Sequence, residues 1–270
     1  MRIGLVENLS MKEYRDDPAY SSSDFIAMGE SLKKWKYFKD NPKPPTRAME
    51  VGSATHHLLE CRLFDKMASE IAVYEEGSSK TKGFEKFKAE KPGVYCLDED
   101  EFFLAQRLVT AIVEEPECIK YLKGALAEPS FFVKDPEFGF GRKCRPDFLH
   151  VQQGVSINIK TTSDASEHGF VKSIADFAYD WQTVNYQDVL RLHYDRLFDE
   201  VHILAEKAAE GPIIARIRAI DDDTLDQARA QLHFLFQRIA ECEKSGKWED
   251  PGARLEIAQV PLWARRLVQL

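Results

Sequence analysis

The sequence lacks the patterns that mark membrane, secreted and metal-cluster proteins. No apolar run approaches the roughly 18 residues that cross a bilayer, so we do not expect a membrane protein. The first residues contain no hydrophobic segment of a signal peptide, because Glu7 and Asn8 interrupt a short apolar stretch. The five cysteines are widely spaced without a Cys-x-x-Cys pair, which predicts reduced thiols in a cytoplasmic protein and no zinc or iron–sulfur site.

Internal repeats and low-complexity tracts are also absent, and the composition is that of an ordinary globular protein. Hydrophobic residues make up 44% of the 270 positions and charged residues 30%, which allows a sizeable core and excludes a disordered or fibrous chain. The length suits one large domain or two small ones. A net charge of −8 argues against nonspecific coating of nucleic acid but permits a local basic groove.

The hydrophobic pattern predicts helices in the first half of the chain and strands mixed with helices in the second. An arm over residues 1–20 and a mobile polar segment over 77–93 are expected to flank or interrupt the helices. Helices are predicted at about 21–39, 48–64, 99–122 (interrupted near Pro116), 166–177, 182–199 and 221–244. Strands are predicted at 130–133, 142–151, 155–159, 201–205 and 212–220. This order predicts one α/β domain with an N-terminal helical elaboration.

The most informative stretch is Gly141-Arg-Lys-Cys-Arg-Pro-Asp147, followed after a turn by Ser156-Ile-Asn-Ile-Lys160. Alternate residues of a strand share a face, so positions 158 and 160 point the same way. A carboxylate at position 158 would hold Mg²⁺, and Lys160 could orient the attacking water or stabilise developing phosphorane charge. From spacing alone, a β-hairpin with exposed polar residues explains this pattern about equally well.

Two further pairs of residues, four positions apart, lie on predicted helices. Gly52 permits close approach and His56 could project into a cleft, although a lone helical histidine is more often structural and His57 adds a second candidate. Gln182 and Tyr186 can both hydrogen-bond a phosphate, although such a pair alone is typical of a helix surface.

Taken together and in this order, these motifs resemble the PD-(D/E)xK nucleases of the RecB type. The phrases 52–60, 141–147 and 160–166 and the Gln-x-x-x-Tyr helix are similar to the nuclease domain of RecE, exodeoxyribonuclease VIII, and the resemblance covers most of residues 20–240. It implies a PD-(D/E)xK core, a central mixed β-sheet flanked by helices, in a single nuclease domain over 1–270. The mainly helical part with the histidine motif would span 1–125, the core 126–245, and a C-terminal tail 246–270.

The resemblance also implies an activity and partners. It implies a metal-dependent exonuclease that degrades linear double-stranded DNA from 5′ to 3′ and leaves 3′ tails for a phage or prophage annealing protein of the RecT type. Mg²⁺ would be the cofactor, with Mn²⁺ as a substitute, and Ca²⁺ would bind without supporting cleavage. Relatives form rings around DNA, so a homo-oligomer is expected.

Site residues follow by motif match. The implied metal ligands are His56, Asp147, Asn158, the Ile159 carbonyl and, by a looser match, Glu128. The implied catalytic residues are Lys160, Asp147, Asn158, Gln182 and Tyr186. The implied DNA-binding residues are Ser53, Arg142, Arg145, Thr161, Thr162, Gln182 and Tyr186. Independently of the resemblance, four cations at 142, 143, 145 and 160 against one carboxylate at 147 suggest a local charge of +3 and a phosphate track.

Asn158 departs from the family pattern, which has Asp or Glu at this position. An amide has the shape of a carboxylate but no charge, and it is a poorer Mg²⁺ ligand. Because Lys160 and the rest of the motif are intact, the favoured interpretation is an introduced Asp-to-Asn change that impairs the enzyme. The alternatives are a non-catalytic DNA-end binding module and an endonuclease of the same superfamily, although the missing cysteine cluster disfavours the iron–sulfur CRISPR type.

Overall fold

The computed structural model describes residues 1–207, 211–250 and 252. The strands are β1 (Gly4–Val6), β2 (Ile71–Tyr74), β3 (Tyr95–Asp98), β4 (Leu126–Ala127), β5 (Ser130–Lys134), β6 (Gly141–Cys144), β7 (Phe148–His150), β8 (Val155–Thr162), β9 (Asp199–Glu206) and β10 (Ala215–Arg218). The helices are α1 (Met11–Asp16), α2 (Ser22–Glu30), α3 (Leu32–Asp40), α4 (Arg47–Leu63), α5 (Lys82–Ala89), α6 (Glu99–Glu114), α7 (Pro116–Leu122), α8 (Glu167–Phe177), α9 (Tyr179–Tyr194) and α10 (Asp222–Ser245). No helix in these residues is long and apolar enough to span a membrane.

A mixed five-stranded sheet, in the order β10-β9-β8-β7-β4, forms the centre of the fold. β8 pairs antiparallel with β7 but parallel with β9, from Val155 beside Asp199 to Thr162 beside Glu206. On one face, Ile157 and Ile159 pack in a cluster with Leu59 of α4 and Leu108 of α6. Helix α9 lies against the other face. The predicted α/β class, with a central mixed sheet flanked by helices, is confirmed.

A second, antiparallel sheet has the order β1-β5-β6. Helix α9 packs on this sheet as well, because Val189 and Leu190 share a buried cluster with Phe131 of β5 and Cys144 of β6. The predicted continuous strand 142–151 is wrong: β6 ends at Cys144 in one sheet and β7 restarts at Phe148 in the other. A proline supplies no N–H to a ladder and restricts the residue before it, so Pro146 separates the two strands. Asp147 therefore lies at the junction of the two sheets.

Two segments expected to be loose are ordered parts of the fold. The predicted arm contains β1, which pairs with β5, and α1, whose Tyr14 is buried against Phe132. The predicted mobile segment 77–93 contains α5, whose Phe84 packs on Tyr74 of β2. In both cases buried aromatic residues anchor a polar stretch, and a composition average does not reveal such anchors.

Helix boundaries follow local capping chemistry. The predicted helix 21–39 is divided at Ser31, whose extended backbone ends α2 and whose hydroxyl accepts from Lys34 N (3.0 Å) to begin α3. The interruption near Pro116 and the cap of α10 by Asp221 are confirmed. The predicted helix 182–199 instead runs from Tyr179 to Tyr194.

The predicted C-terminal tail falls mostly outside the described residues, of which the last are 211–250 and 252. The predicted reduced thiols are confirmed for all five cysteines, which are free and buried.

Candidate active site

The candidate site lies where β8 extends beyond its neighbour β7. The last pair of β7 and β8 joins Phe148 to Ile157, so from position 158 onward this edge of β8 is open. Asp147 fills the opening: its Oδ2 accepts a hydrogen bond from Ile159 N at 2.7 Å. The N–H and C=O of one strand residue point to the same side, so the Ile159 carbonyl faces the same gap as Asp147.

His56, from α4, meets Asp147 at this point. His56 Nδ1 lies 3.3 Å from Asp147 Oδ1. Burial alone would lower the pKa of His56, but the adjacent Asp147 carboxylate outweighs burial and raises it. Burial likewise opposes ionisation of Asp147, yet His56, Lys160 and the Ile159 N–H together hold the pKa of Asp147 below its usual value. The two residues expected to hold the metal ion are therefore in contact, and their role as metal ligands stays a prediction.

These residues suit a divalent cation only if neutral oxygens complete its shell. The described ranges contain no group of three or more His, Cys, Asp or Glu side chains placed to hold a metal ion. The His56–Asp147 contact supplies one imidazole and one carboxylate, and the Ile159 carbonyl faces the same gap. Hard cations accept carbonyl and amide oxygens and water alongside a carboxylate, so this donor set fits a divalent ion.

Asn158 belongs to a buried polar cluster around Glu200 of β9, which the sequence did not indicate. Asn158 Nδ2 donates to Glu200 Oε1 at 3.0 Å, and Glu200 also accepts from Ser156 Oγ (3.1 Å) and Thr183 Oγ1 (2.9 Å). Burial raises the pKa of Glu200 to about 7, against the hydrogen bond from Thr183 and the charge of Lys160. The predicted strand 201–205 begins one residue too late to include Glu200.

Lys160 stands at one end of a chain of hydrogen bonds. Lys160 Nζ donates to Gln182 Oε1 (2.9 Å), Gln182 Nε2 donates to the Tyr186 hydroxyl (3.2 Å), and that hydroxyl donates to the Arg145 carbonyl (3.0 Å). Nζ also lies 4.6 Å from the ring centroid of Tyr179, a residue that no motif indicated. Burial lowers the pKa of Lys160, although nearby Asp147 opposes this. The motif residue Lys160 on β8 and the Gln182–Tyr186 pair on α9 are therefore joined by hydrogen bonds.

Arg145 and Glu128 pair with each other beside Asp147. Arg145 Nη2 forms an ion pair with Glu128 Oε2, while its Nε and Nη1 are buried without a hydrogen-bond partner. Glu128 N donates to the Asp147 carbonyl at 2.9 Å, which places Glu128 next to the site. Its carboxylate is bound to Arg145, however, so its predicted role as a metal ligand stays a prediction.

The predicted phosphate track through Arg142 and Lys143 is wrong. Arg142 is 3% exposed and pairs with Asp135 (3.1 Å) and Asp188 (3.2 Å). Lys143 is 1% exposed, and its Nζ donates to the Tyr14 carbonyl at 2.7 Å. β6 is buried on both faces, because α9 and α10 cover one side and α1 the other, so neither Arg142 nor Lys143 faces solvent.

The remaining predicted residues lie at the margins of the site. Ser53 is exposed on α4, and Thr161 is half-buried near the end of β8. Thr162 Oγ1 donates to the Asp164 carbonyl (3.0 Å) and accepts from Asp164 N (3.1 Å), so this hydroxyl shapes the turn after β8. A Cβ at Gly52 would meet no atom within 4 Å, so close packing within the chain does not require glycine there.

A cleft of about 740 Å³ opens onto Asp147, a volume in the range of small-ligand sites. Its cations come mainly from the N-terminal helices, where Lys12, Arg15 and Lys39 line the wall together with Arg145. Gln182, Tyr186 and Glu128 also line it. The N-terminal segment predicted to be an arm therefore forms one side of the candidate site.

Comparison with known proteins shows a family and a fold. The model of the family described as "PDDEXK-like domain of unknown function (DUF3799)" matches residues 19–259. The structure of a candidate exonuclease from Eubacterium rectale is 17% identical with a TM-score of 0.64, covering 95% of this chain and 97% of that chain. A phage-related exonuclease from Haemophilus somnus is 13% identical over 85% of this chain and 96% of that chain, with a TM-score of only 0.35. No curated protein matches the chain.

Proposed function

The chain belongs to the PDDEXK-like family DUF3799, and from this premise we propose that it is a nuclease that hydrolyses DNA with a divalent metal ion. Nucleases with this fold generally use such ions. We propose further that it is a RecE-type exonuclease, which acts from 5′ to 3′ on linear duplex ends as part of phage-type recombination. Its 3′ tails would then be substrates for a RecT-type annealing protein, and the enzyme would work as a homo-oligomeric ring.

The observation that carries this proposal is the unfinished hydrogen bonding of Arg145. Its Nε and Nη1 are buried without a partner, two residues along the chain from Asp147. An unsatisfied buried donor costs about 1–3 kcal/mol, so such a group calls for an explanation, and a bound ion is one. A guanidinium offers a fork of donors that suits phosphate oxygens. A phosphate bound there would lie beside the His56–Asp147 contact.

The residues of the site have separate tasks in this reaction. A divalent ion held by Asp147, His56 and the Ile159 carbonyl would polarise the scissile phosphate and activate water. Arg145 binds the phosphate, and Gln182 orients Lys160 by accepting from its Nζ at 2.9 Å. Lys160 thus keeps a positive charge fixed where negative charge develops, which favours the transition state more than the bound substrate.

The proposal is tested with an end-labelled linear duplex and a covalently closed circle, each in Mg²⁺, Mn²⁺ or Ca²⁺. We expect loss of the linear duplex from its 5′ ends in Mg²⁺ or Mn²⁺, and binding without cleavage in Ca²⁺. Cleavage of the circle would identify an endonuclease instead. Binding of ends without degradation in any metal would identify a non-catalytic module.

Lys160→Ala provides the residue-level control for this assay. It should lower the single-turnover rate by about 10²–10³-fold, the loss typical of one preorganised electrostatic donor, with little change in DNA affinity. Lys172→Ala is the matched control, because Lys172 is exposed on α8. Full activity of Lys160→Ala would show that the motif on β8 has been misassigned.

A further inference from the structure

Position 158 lacks a carboxylate, but a carboxylate stands directly beside it. Glu200 is fully buried, at 0% side-chain exposure, and its Oε1 lies 3.0 Å from Asn158 Nδ2. The contact follows from the parallel register, in which Ser156 pairs with Glu200 one strand away. The charges of Asp147 and Lys160 both act on Glu200, so it belongs electrostatically to the candidate site.

Glu200 fixes the orientation of the Asn158 amide. Glu200 Oε1 is the acceptor for both Asn158 Nδ2 and Thr183 Oγ1, so the Asn158 amide presents its donor atom to Glu200. The two terminal atoms of an amide diverge from one carbon, so Oδ1 is then directed away from Glu200. Glu200 also accepts from the hydroxyls of Ser156 and Thr183, which hold the carboxyl group in place, and His202 Nε2 lies 3.6 Å from its Oε1.

A carboxylate at position 158 would fit this environment poorly. It would stand about 3 Å from Glu200 in a buried site, where like charges cannot both ionise without a large cost. Asn158 as a donor and Glu200 as an acceptor are therefore complementary. An inactivated chain in which only position 158 had changed would instead have carried two adjacent buried carboxylates beforehand.

We propose that Glu200 replaces, from the neighbouring strand, the carboxylate that position 158 lacks. It brings a carboxyl group to the place where position 158 has none, and it holds the Asn158 amide with Oδ1 available as a neutral ligand for a divalent cation. Glu200 is thus a positioning residue for the metal site, and the inference rests on the metal dependence in the proposed function. The chain is then a working variant of the site rather than an impaired one.

The test is a charge-swap cycle with the variants Asn158→Asp, Glu200→Gln and the double variant. Thermal unfolding without metal and calorimetric titration with Mn²⁺ are measured for each full-length protein. Asp199→Asn is the matched control, because Asp199 is the exposed neighbour of Glu200 at the start of β9.

We expect Asn158→Asp alone to lower Tm by about 5–10 °C, because it places two carboxylates together. Glu200→Gln should weaken Mn²⁺ binding by about 10–100-fold, the size typical of losing a partner that orients a metal ligand. The double variant should recover both Tm and Mn²⁺ affinity, and Asp199→Asn should change neither.

Three results would overturn the proposal. The first is Asn158→Asp binding Mn²⁺ more tightly than the wild type at an unchanged Tm, which would restore the interpretation of Asn158 as an inactivating change. The second is Glu200→Gln lowering Tm while Mn²⁺ affinity stays the same, and the third is no Mn²⁺ binding in any variant. DNA cleavage is measured separately. If the variants rank in Mn²⁺ affinity as expected but no DNA is cleaved, only the proposed function is refuted. If DNA is cleaved but the double variant recovers neither Tm nor Mn²⁺ affinity, only the role proposed for Glu200 is refuted.

Discussion

The side chain of Lys143 is almost completely buried between α1 and the second sheet. Burial lowers its pKa from the usual 10.5 to about 8, against the attraction of nearby carboxylates. The folded chain therefore binds this proton less tightly than the unfolded chain does. Burying the charge lowers the free energy of unfolding by its full amount below about pH 8, and this loss disappears as the pH rises towards 10.5.

This rise of stability with pH gives a prediction for Lys143→Met. The Tm of the wild type should rise relative to that of Lys143→Met between pH 7 and pH 10, because only the wild type loses a buried charge over that interval. Thermal unfolding at several pH values measures the difference. As a control, Lys134→Met, at the exposed end of β5, should show the same dependence of Tm on pH as the wild type. If Lys143→Met also shows that dependence, the lowered pKa of Lys143 is contradicted.

Single residues also show what sequence can and cannot predict about the site. Asp147, Lys160, Gln182 and Tyr186 lie together as the motif order indicates, because their spacing reflects which side of a strand or helix each occupies. Glu200 could not be predicted, because its contact with position 158 depends on which strand pairs with β8 and in which register. The burial of β6 cations was hidden for the same reason.

At the scale of elements, Asp98 joins β3 to α6 through a capping box. Its carboxylate accepts from Glu101 N (2.9 Å) and from Ser79 N (2.7 Å), while the Glu101 carboxylate accepts from Asp98 N (3.0 Å). Burial opposes ionisation of Asp98, yet these hydrogen bonds hold its pKa below the usual value. One side chain thus begins a helix and anchors the segment that precedes α5.

Asp98→Ala should therefore destabilise the protein by about 1–2 kcal/mol, the sum expected for a lost N-cap and one further hydrogen bond. Urea unfolding measures this change. Asp100→Ala, an exposed position in the same first turn, should stay within about 0.5 kcal/mol of the wild type. Equal effects of the two substitutions would show that charge near the helix start, and not the cap, is what matters.

Helix boundaries set by local side-chain chemistry could be predicted from the sequence, whereas strands that depend on pairing with a distant strand could not. The break at Pro116 and the cap at Asp221 follow from side-chain chemistry that is visible in the sequence. The continuous strand over 142–151 was predicted because alternation continues through it, whereas Pro146 sends its two halves into different sheets. β1 is only three residues long and owes its existence to β5, so no pattern indicated it.

At the scale of the molecule, an overall acidic chain has one cleft that several cations line. Lys12, Arg15 and Lys39 line it with Arg145, and Lys12 and Lys39 form ion pairs with Asp16 and Asp24 of the same cleft. DNA affinity in Ca²⁺ should fall with salt, with a log–log slope of about −0.9 per contacted phosphate. Arg15→Ala should make that slope shallower by about one such unit, whereas exposed Lys134→Ala should not change it. An affinity that ignores salt would contradict a phosphate-binding cleft.

Arg145→Ala should behave differently, because Arg145 lines the cleft beside Asp147 and its Nε and Nη1 have no hydrogen-bond partner in the described residues. We expect weaker binding, seen as a higher apparent dissociation constant for DNA, with a smaller effect on the rate at saturating DNA. Titration of the single-turnover rate against DNA concentration separates the two quantities. A large loss of saturated rate with unchanged affinity would instead assign Arg145 to the chemical step.

The parallel pairing of β8 with β9 also sets when the site appears during synthesis. β8 is complete at Thr162, but β9 begins only at Asp199, after two helices. At about 5–20 residues per second, the ribosome delivers the intervening chain over roughly 2–7 s. Throughout that interval Asn158 has no Glu200 beside it, and the edge of β8 that later pairs with β9 is unpaired. A nascent chain that ends between β8 and β9 therefore has no finished candidate site, and it gains one only after β9 has been made and pairs with β8.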